Sequence, residues 1–507
     1  MAPSQAASGQ RGPLRQACVV LLVCVLCAVG LALPLTALAH PRLVRSVPPA
    51  GARLQAPPHE IVLYLTEPVS LQFSQIKLYD RSRKALPLGP PDRDAGQDTT
   101  VKVVLPGPLQ PGIYTVAWRV MSTIDGHPTE GVFRFQVSGE GGGLAPTEQS
   151  APDDPGVNLL SSSTDTADEK PDPIRLIVRW VMLAGAAIVL GGALFTVGVI
   201  EPAASEDRAG GGISDHLLPA LSARFGYLGG AVAVVLVLAL VAELVGQVAA
   251  IGDTDYPSAL AANDLAWVLL TSTRYGLAWA LKMLASILLV PVMIYAWRRR
   301  GAGPKLGPTP WDLTVSCGSL LLLGEAIGSH AAAAGSGHAA GHALGLPLPV
   351  LSDWLHLVMA AAWAGGLAYM VLVLFPTFRA MGVSYGAGRA FLGRSVPRFS
   401  RLAVVSVLVL SGTGTYNLLV HSADFGSILE SGYGQVLVIK LGLFISLICL
   451  GAFNLLWVSP RLRRQAEAAG SDVGGQLRRN VLVEVVLVLL VVGCAALLTL
   501  LPPPSQD

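Results

Sequence analysis

Charge is scarce in this chain of 507 residues: 13% of them are charged and 52% hydrophobic, which excludes an ordinary soluble protein and points to membrane spans. A net excess of either sign is missing as well. The formal charge of +2 gives no support for nucleic-acid binding. Cysteine is absent where an exported domain would use it. Of the six, Cys18, Cys24 and Cys27 fall in an N-terminal apolar leader, and Cys317, Cys449 and Cys494 lie in apolar runs. The stretch between leader and first apolar run has none. It therefore has no disulfides and no thiolate metal site, and must be held together by its core.

What is present begins with that leader. Arg11 and Arg15 form a positive n-region, residues 17–33 an apolar h-region, and Ala37 and Ala39 a small-residue cleavage site. Residues 1–39 thus read as a signal peptide with His40 as the first mature residue. An N-terminal histidine offers a metal its α-amine and its imidazole, and imidazole nitrogen suits divalent copper. Pro41 has no N–H, so a site using a deprotonated second amide is excluded while amine-plus-imidazole chelation is untouched. The plain alternative is an ordinary cleavage site that happens to precede a histidine.

From residue 43 to residue 137 short alternating apolar runs are punctuated by Pro, Gly and Asp. Residues 61–65, 76–79, 101–105, 114–120 and 131–137 read as strands of period two, with Trp118 and Phe133 as core. About seven such strands in about 100 residues predict an antiparallel sandwich or barrel. Between the last two strands stands Ser122-Thr123-Ile124-Asp125-Gly126-His127-Pro128. A carboxylate and an imidazole two residues apart can approach one ion from two sides, with Gly126 allowing the tight turn. The same residues also serve as a plain turn with an exposed histidine.

The opening HPRLVRSVPPAGARLQAPPHEIVLYLTEPVS and the closing MSTIDGHPTEGVFRFQV resemble the periplasmic copper-binding family CopC over the whole of 40–138. The resemblance implies a cupredoxin-like, Ig-like β-sandwich that binds Cu(II) through the amine and imidazole of His40 and through Asp125 and His127. Nitrogen and oxygen donors of this kind suit Cu(II). Met121 is the only methionine of the domain, which argues against the Met-rich Cu(I) loop carried by some members. His59 reads as a surface residue.

Residues 139–173 are rich in Gly, Ser, Thr, Pro and acids and read as a flexible linker. Beyond it, apolar segments near 174–200, 225–251, 276–297, 311–329, 351–375, 401–421, 434–458 and 480–501 predict an all-α polytopic domain of eight transmembrane helices, 174–501, followed by an outer tail, 502–507. Arg298, Arg299, Arg300 and Lys305, then Arg379, Arg389, Arg394, Arg398 and Arg401, then Arg461, Arg463, Arg464, Arg478 and Arg479 mark the cytoplasmic side. The loops 330–350 and 422–433 have no Lys or Arg, and 252–275 has only Arg274. The positive-inside rule therefore sets both the N-terminal domain and the C-terminus outside the cytoplasmic membrane.

With that orientation His330, His338 and His342 belong to the outer loop between spans four and five, and His421 closes span six on the same side. Asp353, His356 and Met359 share one face of span five, with Glu325 near the outer end of span four. Ionisable groups within a span are costly and line polar pathways, so these eight residues are the candidate membrane path for copper. The loop histidines read equally well as a solvated Ala/Gly/His tract. Glu243, Lys282, Lys440 and Glu484 read as groups that pair or snorkel, and Gly412, Gly414 and Gly365-Gly366 as close-packing positions. LSDWLHLVMAAAWAGGL, SGTGTYNLLVH and YGQVLVIKLGLFISLICLGAFN resemble the inner-membrane family CopD over most of 174–500.

The expectation is a non-enzymatic copper importer: Cu(II) is captured outside and passed to a His/carboxylate/Met entrance, where Cu(I) is a second cargo form. Copper ions and the lipid bilayer are its partners, with an extracytoplasmic copper chaperone or reductase as a further one. No Walker-type phosphate loop or aspartyl-phosphate motif is present, which leaves passive or gradient-driven movement. A haem-containing oxidoreductase using His356 and His421 is the second class. A copper oxygenase is the third, and Asp125 argues against it by filling the position oxygen would take.

Overall fold

The computed structural model describes residues 43–82, 84–94, 96–123, 128–138, 172–209, 212–252, 254–298, 309–329, 342–343, 346–421, 432–458 and 473–501. Two compact units divide the chain. One contains Leu38–Lys170 with Val245–Leu277, the other Pro171–Leu244 with Ala278–Asp507.

In the first unit eight strands form two sheets. They are β1 (Leu43–Val47), β2 (Arg53–Leu54), β3 (Glu60–Leu65), β4 (Val69–Tyr79), β5 (Ala85–Leu86), β6 (Thr100–Val104), β7 (Gly112–Ser122) and β8 (Pro128–Val137). The sheet orders are β1-β3-β6 and β2-β8-β7-β4-β5. Ile61, Leu63, Val101, Val103, Val116, Trp118, Phe133 and Phe135 meet between the sheets, as the period-two pattern requires. The sequence pattern begins β4 at Ile76, but the strand starts seven residues earlier, at Val69. A register shift between Ser70 and Gln75 interrupts the alternation there, and Ser74 Oγ donates to Ser70 O at 2.7 Å. β7 and β8 form a long hairpin from Gly112↔Val137 to Met121↔Pro128. Gly131 lies opposite Trp118, and a Cβ on it would stand 2.5 Å from the indole, so the ring takes the space a side chain would need.

The second unit is helical, and two of its helices begin or end in the first. α1 (Pro173–Phe195) is capped by Asp172, whose side chain accepts from Ile174 N, and continues through a π-helical turn, Thr196–Ile200, into α2 (Glu201–Ala209). Then come α3 (Ser214–Gly252), the short α4 (Tyr256–Ala261) and α5 (Asn263–Ser272), both of which belong to the first unit, α6 (Arg274–Arg298) and α7 (Pro310–Ile327). The two-residue strands β9 (His342–Ala343) and β10 (Leu346–Pro347) lead into α8 (Leu348–Tyr369), which passes through a second π-helical turn, Met370–Leu374, into α9 (Phe375–Ala380). α10 (Tyr385–His421), α11 (Gly432–Phe453) with a third π-helical turn, Asn454–Val458, and α12 (Val473–Leu498) complete it.

Among the described residues seven helices are long and apolar enough to cross a membrane. The eighth expected span forms α7, whose 18 residues reach about 27 Å at 1.5 Å per residue. It carries Asp312 and Glu325 and is not among the seven. α7 packs on α1 and α8, with Gly318 against Leu190, so protein takes the place of lipid along part of it. α1 and α8 touch backbone to backbone. A Cβ on Gly191 would lie 1.9 Å from Ala361 O, and one on Gly365 would lie 1.9 Å from Ala187 O. Asp207 of α2 is 3% exposed and holds Arg394 of α10 at 2.5 Å, while Arg398 pairs with Glu206, so two of the arginines counted as cytoplasmic are tied to acids.

Candidate metal sites

His40, Asp125, His127, His330 and His338 lie outside the described residues, and of His342 and His421 only the backbone is described. What surrounds the 124–127 segment is visible. β7 delivers the chain to it through Ser122 and Thr123. Ser122 Oγ donates to Glu67 Oε2 at 3.0 Å, and Thr123 donates to Pro68 O from its N at 3.0 Å and from its Oγ1 at 3.2 Å. Glu67 is 3% exposed, a buried carboxylate beside the expected ligand loop that the sequence reading passed over. Within the same unit Arg274 N donates to Thr123 O at 3.3 Å and Arg119 Nη2 to Ala250 O at 3.0 Å. The end of β7 is thus held at Arg119, Ser122 and Thr123. Met121 is 1% exposed in the sandwich, and His59 is at the surface.

In the helical unit the predicted polar residues fall into two clusters. Glu325 of α7 does not stand alone. Its carboxylate meets Arg179 of α1 and, at 3.3 Å, Lys282 of α6. Lys282 reaches Glu243 of α3 at 2.8 Å, and Arg179 reaches it at 3.3 Å. Two cations and two carboxylates from four helices thereby form a charge-balanced lattice, with Lys282 and Glu325 only 4% and 5% exposed. Glu243 and Lys282 pair as expected; Arg179 was missed, since one arginine early in a span reads as a snorkelling residue.

The second cluster is built on the first turns of α8. Ser329, one turn past Glu325, donates to Asp353 Oδ2 at 2.9 Å, and Ser352 donates to Asn417 Oδ1 of α10 at 2.9 Å. His356 Nδ1 lies 2.9 Å from Thr413 Oγ1 of α10. Thr413 Oγ1 itself donates to Val409 O at 2.7 Å, so its one proton is already committed. The neutral ring must therefore donate from Nδ1, which leaves the lone pair on Nε2. No described residue hydrogen-bonds that nitrogen. Lys440 of α11 interacts electrostatically with both His356 and Asp353. Met359, one turn along, is half-buried and packs on the apolar core. Gly414 would bring a Cβ to 3.5 Å from the His356 ring, which is ordinary contact.

Such a constellation supplies one uncommitted imidazole nitrogen on a fixed ring, with a carboxylate one turn before it and a thioether one turn after. Among the described residues no three His, Cys, Asp or Glu side chains converge as a closed metal cage. An open, few-ligand arrangement passes an ion on more readily than it stores one.

Three protein families match consecutive parts of the chain: the CopC domain over residues 43–138, the Copper resistance protein D-like N-terminal domain over 170–342 and Copper resistance protein D over 393–498. Copper transport protein CutJ of Bacillus subtilis (strain 168) is 26% identical over 480 residues, which cover 94% of this chain and 76% of that one. Copper resistance protein D of Pseudomonas syringae pv. tomato is 26% identical over 345 residues, 66% of this chain and 98% of that one. Copper resistance protein C of the same organism is 36% identical over 115 residues, 22% of this chain and 90% of that one.

Proposed function

The chain belongs to the copper-resistance proteins, as a CopC domain joined to a CopD membrane region in one polypeptide, and from that premise we propose that it imports copper across the cytoplasmic membrane. Removal of residues 1–39 exposes His40, whose amine and imidazole capture Cu(II) together with Asp125 and His127. Two imidazoles, an amine and a carboxylate give the nitrogen and oxygen surroundings that divalent copper prefers. The buried carboxylate of Glu67 accepts from Ser122 at the end of β7, two residues before the segment that carries Asp125 and His127.

The membrane region crosses eight times with both ends outside, α7 being the short inner member. Copper enters at the His356 doorway, flanked by Asp353 and Met359, and drawn there by the outer-loop histidines His330, His338, His342 and His421. Glu325 shapes that entrance as part of the four-charge lattice. The observation that carries this reading is the His356–Thr413–Val409 chain, which holds an imidazole in an apolar span with its Nε2 lone pair uncommitted.

Accumulation of radiocopper in cells expressing the intact protein tests the route. His40→Ala and His356→Ala should each lower uptake at limiting copper, and uptake equal to the unaltered protein in both would reject it. The same free nitrogen supports a second reading, a haem-carrying oxidoreductase with His421 as the other axial ligand. A Soret band in the purified protein would put that reading first.

A further inference from the structure

In the same helical unit is a partly open pocket of about 160 Å³, lined by Trp363, Met370, Ser400, Asn454, Val481 and Glu484 among others. It lies on the face of α8 that carries the doorway. His356, Met359, Trp363 and Met370 recur at intervals of three, four and seven residues, which keeps them on one side of a helix. His356 meets Thr413 of α10, and Trp363 packs edge-on against Phe444 of α11 at 6.0 Å. Met370 is 14 residues beyond His356 (370 minus 356), about 21 Å along the helix axis at 1.5 Å per residue.

Glu484 of α12 is 4% exposed. Its Oε1 accepts from Asn454 Nδ2 at 2.8 Å, and Asn454 Oδ1 accepts from Asn480 Nδ2 at 2.6 Å, so the amide's orientation is fixed. Asn454 opens the third π-helical turn, a local widening that recurs at functional positions. The contrast with the four-charge lattice is plain. Glu243 and Glu325 each face two cations, whereas among the described residues no cationic side chain pairs with Glu484. A carboxylate at membrane depth without a counter-ion is costly, and a bound cation removes that cost.

We propose that this pocket is a second copper station, where the Glu484 carboxylate and the Met370 thioether hold a monovalent copper ion after it leaves the His356 doorway, copper captured as Cu(II) having first taken one electron from an extracytoplasmic one-electron reductant. Thioether sulfur selects Cu(I), and one positive ion beside one carboxylate leaves the occupied site neutral. Asn454 and Asn480 are positioning residues that aim the carboxylate. The inference rests on the import reading above and adds a station that reading does not contain.

Competition titration of the full-length, detergent-purified protein with Cu(I) and a chromogenic Cu(I) chelator tests it, alongside uptake. Glu484→Gln keeps an oxygen for Asn454 but removes the charge; Met370→Leu keeps the volume but removes the sulfur. Each should weaken one Cu(I) site by about tenfold or more and slow uptake, while Cu(II) bound by the β domain is unchanged. His356→Ala should remove a different Cu(I) site, so that it and Glu484→Gln together lose both. If Glu484→Gln proves unstable, Met370→Leu carries the test alone. Full Cu(I) binding and uptake in both station variants, with His356→Ala impaired, would overturn the station and leave the import reading standing. Uptake by His356→Ala equal to the unaltered protein would overturn both.

Discussion

Thr413 decides which nitrogen His356 offers. A hydroxyl carries one proton, and Val409 O takes it at 2.7 Å, so the oxygen that meets His356 at 2.9 Å is an acceptor. Thr413→Val removes that acceptor at nearly constant volume and leaves ring rotation and tautomer unfixed. Metal affinity at Nε2 should fall about 10–100-fold in Cu(I) competition titrations, as it does when a ligand histidine loses its hydrogen-bond partner, while Thr413→Ser should bind nearly as the unaltered protein does. Equal affinities of the Val and Ser variants would sink the assignment. His356 itself was legible in the sequence, because an imidazole inside an apolar run is rare and expensive. Thr413 was not, since its relevance depends on which helix faces α8, and an apolar helix advertises no partner. At the surface of the sandwich a second residue gives a pH test. Hydrogen bonds from the Ser82 hydroxyl, then from backbone amides, hold the Asp80 carboxyl below the usual carboxylate range. A depressed folded value stabilises above the unfolded one, near 3.9, and the contribution is lost as pH falls through the folded value. Asp80→Asn should therefore lower stability at neutral pH and make no difference near pH 2, as read by acid and urea titrations followed by circular dichroism.

At the scale of elements, helix crossings are set by glycine. α1 and α8 approach until Gly191 and Gly365 leave no room for a Cβ, and nothing but a hydrogen fits. Gly365→Ala must push the two backbones apart, at a cost of about 1–3 kcal/mol or more by the usual penalty for overpacking. Gly442→Ala on α11, where nothing lies within 4 Å, is the matched control. The melting temperature of the detergent-solubilised protein should drop for the first and stay or rise slightly for the second, and equal values would mean the crossing relaxes freely. Element type was readable from periodicity: the sandwich strands alternate, and the long apolar runs became helices. α7 shows the limit of that method. Hydropathy measures contact with lipid, and a short helix flanked by α1 and α8 and carrying Glu325 into an ion lattice needs less of it. β4 shows another, because a bulge between Ser70 and Gln75 breaks the alternation on which a period-two reading depends.

At the scale of the whole molecule, the sequence displayed four isolated ionisable residues, Arg179, Glu243, Lys282 and Glu325, and the fold made one object of them. Partners separated by 39, 43 and 64 positions share no local pattern, so their pairing belongs to the packing of four helices. The expected ligand pair Asp125 and His127 rests on one short motif instead, and lies outside the described residues. What joins capture to passage is the expected tether, 139–173, nearly all of which lies outside the described residues. On the proposed import route, a tether of that length would keep the copper-loaded domain at an effective concentration on the order of millimolar over the membrane region, and handover would not wait for a diffusional encounter. Cutting the chain within 139–173 and supplying the domain separately should then slow uptake into right-side-out vesicles when the domain is present at about micromolar concentration. The rate should recover as that concentration is raised toward about millimolar, because only the encounter has been lost and both sites are intact. A separate domain that restores the full rate at micromolar concentration would show that the encounter never limits transfer, and that the fusion serves some purpose other than delivery.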